Sequence, residues 1–472
     1  MGPAAKGRFE SFDSEVRLED FGSEERFESF DSEERLVGSG SEVGFEGPSG
    51  ENHFEGFAAK GSFAVSGGAG YKPAGASFHR IRRRSMNRIR VMTVFGTRPE
   101  AIKMAPLVKA MKGCGRIETV VCVTAQHREM LDQVLELFGI VPDYDLDIMR
   151  KRQTLTDITV RALTGLERVL DEVKPDALLV HGDTTTTFAG SLAGFYRQIR
   201  VGHVEAGLRT LNRYSPFPEE INRRLTGALS DMHFAPTAGA RENLLKENVP
   251  EKSIVVTGNT VIDALMQVVD SDYRFSGLPL RDIDFGSKRV ILLTCHRREN
   301  IGEPMAEIFR AVADIVSAYS DVEVVYPVHR NPAVIDTARS ILGGRERIHL
   351  IEPLDYLPFA NLMGRCHLVM TDSGGIQEEA PSLGKPVLVL REVTERPEAV
   401  QAGTVRLAGV KRERVFEEAL RLLEDQGLYN KMAHAVNPYG DGKASQRIVD
   451  ALLYFFGINE NPPEDFCPAA GK

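Results

Sequence analysis

The sequence predicts an α/β chain of two doubly wound, Rossmann-like domains behind a disordered N-terminal extension. Three observations carry this. From Arg90 onward, short Val- and Leu-rich runs alternate with helix-like segments. Runs of that kind, bounded by polar turns and separated by helices, read as strands of a buried parallel sheet. Six such candidates fall in each half, and a polar, irregular stretch divides the two sets, which implies two sheets, each wound on both faces. Residues 1–85, in contrast, are Ser-, Glu-, Gly- and Phe-rich with few branched aliphatics.

That extension carries RFESFDSE at Arg8–Glu15 and again at Arg26–Glu33. It offers too little apolar surface to offset chain entropy, and two copies are too few for a repeat architecture. It reads as a disordered segment or an upstream-misassigned start, since Met86 directly precedes the first strand. The basic run His79–Arg90 reads as a solvated lead-in to that strand.

Strand candidates of the first half are 90–97, 118–126, 177–183, 199–207, 232–237 and 253–259. Val261–Asp284 then turns polar and irregular, as a crossing between domains would. The second set is 289–297, 322–330, 347–353, 367–375, 385–392 and 404–409. The expected division is therefore 1–85, 86–260 and 261–444, with a last helix at 445–457 packed back on the first domain.

At 472 residues the chain can hold two or three domains with substantial cores. A formal net charge of −9 argues against a general nucleic-acid binder, which would carry a basic stripe. No window of about 20 apolar residues exists, so no membrane span is expected. Five cysteines without CxxC pairing point to a reduced, cytoplasmic protein with no cysteine-built metal site.

Chemistry concentrates in Ala177–Arg224. Two apolar runs there end in the carboxylates Asp183 and Glu205, and a cluster of Glu219, Glu220, Arg223 and Arg224 follows a proline-broken loop. Ligands of open α/β sheets collect where strands end and helices begin, so convergent carboxylates and arginines suggest acid–base work on a small molecule. Glu219 and Arg223 are four apart, as are Glu220 and Arg224, so either pair can meet on one helix face. Periodicity does not say which pair turns to a cleft.

In FGTRPEAIKMAP, Pro106 would break a helix begun at Pro99. The expectation is a loop from Gly96 to about Met104, then a helix with Pro106 in its first turn, leaving Arg98 and Lys103 beside a helix N-terminus that favours anions. In TDSGGIQEE, Ser373 can cap the next helix, and Gly374 and Gly375 leave backbone N–H groups open to a phosphate. Glu378 or Glu379 could accept ribose hydroxyls; Arg391 or Arg396 could compensate phosphate charge. His296 closes a strand, but His181, His203 and His329 stand in similar places, so histidine alone discriminates poorly. No HExxH spans these sites, and the chain is read as using no metal.

The blocks FGTRPEAIKMAP, TAQHREML, HGDTTTT, GHVEAGLRT, SPFPEEINRRLT, TGNTVIDAL, TDSGGIQEEAPSLGKPVLVLR and TERPEA follow one another in this order. In this the chain resembles the non-hydrolysing UDP-N-acetylglucosamine 2-epimerases, from about Arg90 to Phe456. The resemblance implies a fold of the glycosyltransferase-B type with UDP between the domains. It also implies interconversion of UDP-GlcNAc and UDP-ManNAc at C2 with no nicotinamide or other cofactor and no metal, and a homodimer. It assigns catalytic roles to Lys103, Asp183, Glu205, Glu219, Arg223 and His296. UDP contacts are assigned to Arg98, Phe359, Ser373, Gly374, Gly375, Glu379 and Arg396. Gln126, His127 and Met130 match a segment touched by an activating second UDP-GlcNAc in bacterial relatives. Two positions depart from the pattern: Cys295 replaces a small residue before the histidine, and Leu354 stands where some relatives present a Gln to uracil.

Overall fold

The computed structural model describes residues 88–126, 128–276 and 279–468; the extension 1–85 and His127 lie outside the described residues. Two sheets carry the chain. The first holds β1 (Ile89–Phe95), β2 (Ile117–Val123), β3 (Tyr144–Asp145), β4 (Ala177–His181), β5 (Arg200–Val204), β6 (Met232–Ala235) and β7 (Ile254–Val256), in the order β3-β2-β1-β4-β5-β6-β7. The second holds β8 (Arg289–Thr294), β9 (Val322–Pro327), β10 (Ile348–Ile351), β11 (Leu368–Thr371), β12 (Val387–Val389) and β13 (Val405–Leu407), in the order β10-β9-β8-β11-β12-β13. The strand pairs are parallel, which places two winding reversals, between β1 and β4 and between β8 and β11. Loops leaving those four strands therefore open onto a crevice, where α/β proteins bind ligands.

Each central strand is apolar because helices cover both of its faces. Met92, Val94, Leu178 and Val180 pack toward one side, and Val91, Phe95 and Leu179 toward the other. The helices over the first sheet are α1 (Arg98–Gly113), α2 (Arg128–Phe138), α3 (Leu155–Val173), α4 (Thr185–Tyr196), α5 (Glu219–Leu229), α6 (Ala238–Lys246) and α7 (Thr260–Val268). Those following β8 are α8 (Glu303–Ala318), α9 (Pro332–Leu342), α10 (Tyr356–Arg365), α11 (Gly374–Glu379), α12 (Pro397–Ala402), α13 (Arg412–Glu424), α14 (Gln426–Ala433) and α15 (Ala444–Phe455). The last of these returns to lie against α1 and α7. Asp263 of α7 accepts from the N–H groups of Ala444 and Ser445 at 3.1 and 2.7 Å, so it satisfies two donors at the start of α15.

Two details differ from the sequence expectation. Strand β3 was not foreseen: it is two residues long, too short for a pattern, and pairs with Cys122 and Val123. The loop expected from Gly96 to Met104 is helical instead, with Pro99 in the first turn of α1 and Pro106 inside it. An interior proline costs roughly 3 kcal/mol. Met104, Leu107, Val108 and Met111 are fully buried on the same helix, each contributing about 1.5–3 kcal/mol on burial, so packing wins. Lys103 thus stands in the second turn of α1, not beside its N-terminus; Arg98 opens the helix.

A close approach sets the turn after β5. Gly207 has φ +89°, and a Cβ there would lie 2.2 Å from the Ala240 carbonyl oxygen. Only glycine brings the chain past α6 in this conformation.

Candidate active site

The crevice is built on two buried carboxylates that tie its loops together. Glu100, 2 % exposed, accepts from Gly96 N–H, Thr97 N–H and the Thr97 hydroxyl at 3.0, 2.8 and 2.8 Å. It also accepts from the hydroxyls of Thr184 and Thr187 at 2.7 and 3.1 Å, so the loops after β1 and β4 share one anchor. In the second sheet Asp372 plays the same part. It accepts from the N–H groups of His296 and Arg297, both at 2.8 Å, and from the Asn300 amide at 3.0 Å. Neither carboxylate was singled out from sequence; the only signal was its place beside a strand end.

On this frame Lys103 Nζ meets Glu205 Oε2 at 2.5 Å, and His181 Nε2 lies 3.0 Å from the same oxygen. Glu205 has the left-handed φ of +63°, unusual for a side chain of its size. Burial alone would push the Glu205 carboxyl up, but Lys103 and His181 beside it hold it well below the usual range. Burial likewise works against the Lys103 ammonium, and Glu205, Glu378 and Asp183 more than restore it. His203, one strand residue earlier on that face, donates to Gly182 O at 2.7 Å and is pushed down to about 3 by burial, so it stays neutral.

Asp183 is held by Arg223 Nη2 at 2.6 Å, and its carbonyl accepts from the Asn222 amide at 2.9 Å. Of the two helix pairs, Glu220 bonds both Arg224, at 3.2 Å, and Arg223, at 3.5 Å. Glu220 is fully buried and accepts from the N–H groups of Thr210 and Leu211, so it braces the loop before α5. Arg223 is the arginine that turns to the cleft. Glu219 precedes this pair at the first position of α5.

Across the crevice, Arg396 bonds Glu378, and Glu378 also accepts from the Asn259 amide at 2.8 Å. The guanidinium groups of Arg396 and Arg297 both lie beside Gly374: a Cβ there would be 3.8 Å from each Nη2. Arg297 was not anticipated, although it directly follows His296. Ser373 stands at the cap position of α11 but makes no capping hydrogen bond, so the turn relies on its glycines instead. Arg391 is occupied elsewhere, by Glu299 at 2.6 Å and Glu395 at 3.4 Å. The Glu379 carboxyl is pushed up to about 8 by burial and by neighbouring Glu378. His296 stacks on His329 at 5.3 Å, with its Nδ1 3.5 Å from Asp372 Oδ1.

The two sides share one electrostatic field. Glu378 acts on Lys103, Lys103 on Glu379, and Glu205 on Arg396. Arg98 and Glu379 both act on the buried Tyr356 hydroxyl, which has no hydrogen-bond partner. The structure thus pairs Lys103 with Glu205 and Arg223 with Asp183, and Asp183 also acts electrostatically on Lys103. It sets Gly374, Glu379 and Arg396 opposite them. Phe359 and Leu354 pack at the edge of the core. Gln126 accepts from Thr186 at 3.3 Å, and Met130 is exposed on α2. Among the described residues no cluster of three or more His, Cys, Asp or Glu could hold a metal ion, and no helix is long and apolar enough to cross a membrane.

The family model for UDP-N-acetylglucosamine 2-epimerase matches residues 109–453. The chain belongs to that family. A UDP-N-acetylglucosamine 2-epimerase of Bacillus subtilis (strain 168) is 58% identical over 381 residues, covering 81% of this chain and 99% of the relative. The Escherichia coli (strain K12) UDP-N-acetylglucosamine 2-epimerase is 59% identical over 372 residues, covering 77% and 98%. A crystal structure of UDP-GlcNAc 2-epimerase from Neisseria meningitidis bound to UDP-GlcNAc superimposes with TM-score 0.69 at 52% identity, covering 78% of this chain and all of that one. The architecture is the two-domain, glycosyltransferase-B type.

Proposed function

We propose that this epimerase-family chain interconverts UDP-GlcNAc and UDP-ManNAc without releasing free sugar. The observation that carries the reading is the pairing of opposed charges in one crevice. Lys103–Glu205 and Arg223–Asp183 line one side, and Arg396 with Arg297 flanks the glycine turn on the other. The C2 hydrogen of the sugar is not beside a carbonyl, so no side chain removes it directly at neutral pH. The bond from C1 to the diphosphate oxygen breaks first, leaving its electron pair on UDP and positive charge on C1. That charge acidifies the C2 hydrogen. Arg98, Arg396, His296 and the Ser373–Gly375 turn take up the growing diphosphate charge, with Lys103 nearby.

A carboxylate among Asp183, Glu205 and Glu219 then takes the C2 proton, and the C–H electrons form the C1=C2 bond of 2-acetamidoglucal. A proton is returned to C2 on the opposite face and UDP re-adds at C1, so atoms and charge balance over the cycle. Delivery to two faces accounts for more than one carboxylate. Glu379 and Phe359 are read as UDP contacts. The assembly is read as a homodimer, and Gln126, His127 and Met130 as the segment that would meet an activating second nucleotide sugar.

Incubation with UDP-GlcNAc in D₂O, followed by NMR, tests this. UDP-ManNAc carrying deuterium at C2 is the expected product. Free ManNAc would assign the hydrolysing reaction instead, and an unchanged nucleotide sugar would overturn the reading.

A further inference from the structure

Gln377 lies on α11 and is fully buried. Its Nε2 donates to the Ser373 carbonyl at 3.2 Å, and its Oε1 accepts from the Thr394 hydroxyl at 2.6 Å. The Thr394 hydroxyl in turn accepts from the Arg396 N–H at 3.0 Å. Donation runs one way along this chain, from Arg396 through Thr394 and Gln377 to Ser373, and in such a chain each bond polarises the next. The Gln377 amide fits in one orientation: turned over, its oxygen would face the Ser373 carbonyl oxygen with no hydrogen between them.

The ends of the chain belong to two separate loops. Ser373 begins the glycine turn after β11, whereas Arg396 stands on the loop after β12. The Arg396 side chain is held as well: Nε donates to Glu378, Nη1 donates to the Glu395 carbonyl at 3.2 Å, and Nη2 lies beside Gly374. Glu378 grips the far end of a long side chain, and Thr394 with Gln377 ties down the backbone that carries it. We infer that Gln377 is a positioning residue for the nucleotide diphosphate: through Thr394 it fixes the Arg396 segment against the Ser373–Gly375 turn. The diphosphate then meets both groups already arranged, which spares the ordering of a loop and a rotamer-rich side chain on binding. The inference rests on the function proposed above, which puts Arg396 and the turn at the diphosphate.

The test is UDP affinity, measured by titration calorimetry on the whole chain. Thr394 is half-buried, and Thr394→Val keeps its shape while removing the hydroxyl, whereas Thr394→Ser keeps the hydroxyl. Thr394→Val should weaken UDP about fivefold, and Thr394→Ser should stay within about twofold of wild type. Gln377→Met, which loses both bonds, should weaken UDP at least as much as Thr394→Val. In an Arg396→Ala background, adding Thr394→Val should cost less than about a further twofold, because its effect runs through the arginine. A general loosening of the fold would keep the full loss there. Unchanged affinity in Thr394→Val, no rescue by Thr394→Ser, or an undiminished loss in the Arg396→Ala background overturns the inference. Should Gln377→Met not fold, the Thr394 variants decide. If wild type binds UDP yet places no deuterium at C2, the proposed function fails and the affinities still decide the inference; a wild type without UDP affinity overturns both.

Discussion

Arg223 of α5 reaches back to Asp183, at the end of β4, and holds its carboxylate at 2.6 Å. The two residues are far apart in sequence and meet only because α5 returns beside α4 after the loop braced by Glu220. The pair gives Asp183 a fixed direction. Arg223→Ala should therefore lower kcat by about 10- to 100-fold with UDP affinity changed less than about threefold, and Asp183→Asn should abolish C2 exchange. Steady-state kinetics with UDP competition separates the two quantities. Loss of UDP affinity in Asp183→Asn would remove it from the proton chemistry.

Glu379 sets a pH dependence of stability in the ligand-free protein. Its carboxyl is pushed up to about 8 by burial and Glu378, against 4.5 for the ordinary group. Between those values the folded chain binds the proton more than the unfolded chain does, so stability falls as pH rises through about 8. Glu379→Gln should flatten that decline and melt higher than wild type at alkaline pH. Thermal melts across the neutral-to-alkaline range, without nucleotide, measure it.

Glu100 holds five donors from two loops. Glu100→Ala leaves them without their acceptor inside the fold, and a loss of at least about 3 kcal/mol is expected, by analogy with breaking a buried charged network. Urea unfolding reads this directly. Glu100→Gln should fall between, since its amide accepts on one oxygen only.

The cysteines should divide by reactivity. Cys467 is exposed and Cys114 half-buried, whereas Cys122, Cys295 and Cys366 are buried. Burial, together with Asp372, pushes the Cys295 thiol well above its usual value despite its place next to His296. A thiol reagent at neutral pH should label Cys467 first and spare Cys295 until the chain unfolds. Rapid labelling of Cys295 would show that the loop after β8 opens in solution.

Much of this was legible from residues alone. The apolar runs ending in Asp183 and Glu205 located two strands and two carboxylates of the crevice at once, because a buried parallel strand is mostly apolar until it leaves the sheet. Pro106 misled, since a local cost was weighed without the buried Met104, Leu107, Val108 and Met111 that outweigh it. Strand β3 was invisible because two residues make no pattern. His181 was seen but could not be separated from His203, as both end apolar runs. In the structure His181 lies beside Glu205, whereas His203 bonds the Gly182 carbonyl. Arg297 was passed over because no periodicity connects it to Gly374, more than seventy residues later.

The internal matching of Lys103 with Glu205, Arg223 with Asp183 and Arg396 with Glu378 has a calorimetric consequence. A diphosphate entering a crevice where these three cations are already matched adds anionic charge beside acids, and Glu379, half-ionised near pH 8, will capture hydrogen ions from solution as it arrives. The heat released on adding UDP at that pH should then vary with the ionisation enthalpy of the buffer, and the dependence should shrink in Glu379→Gln.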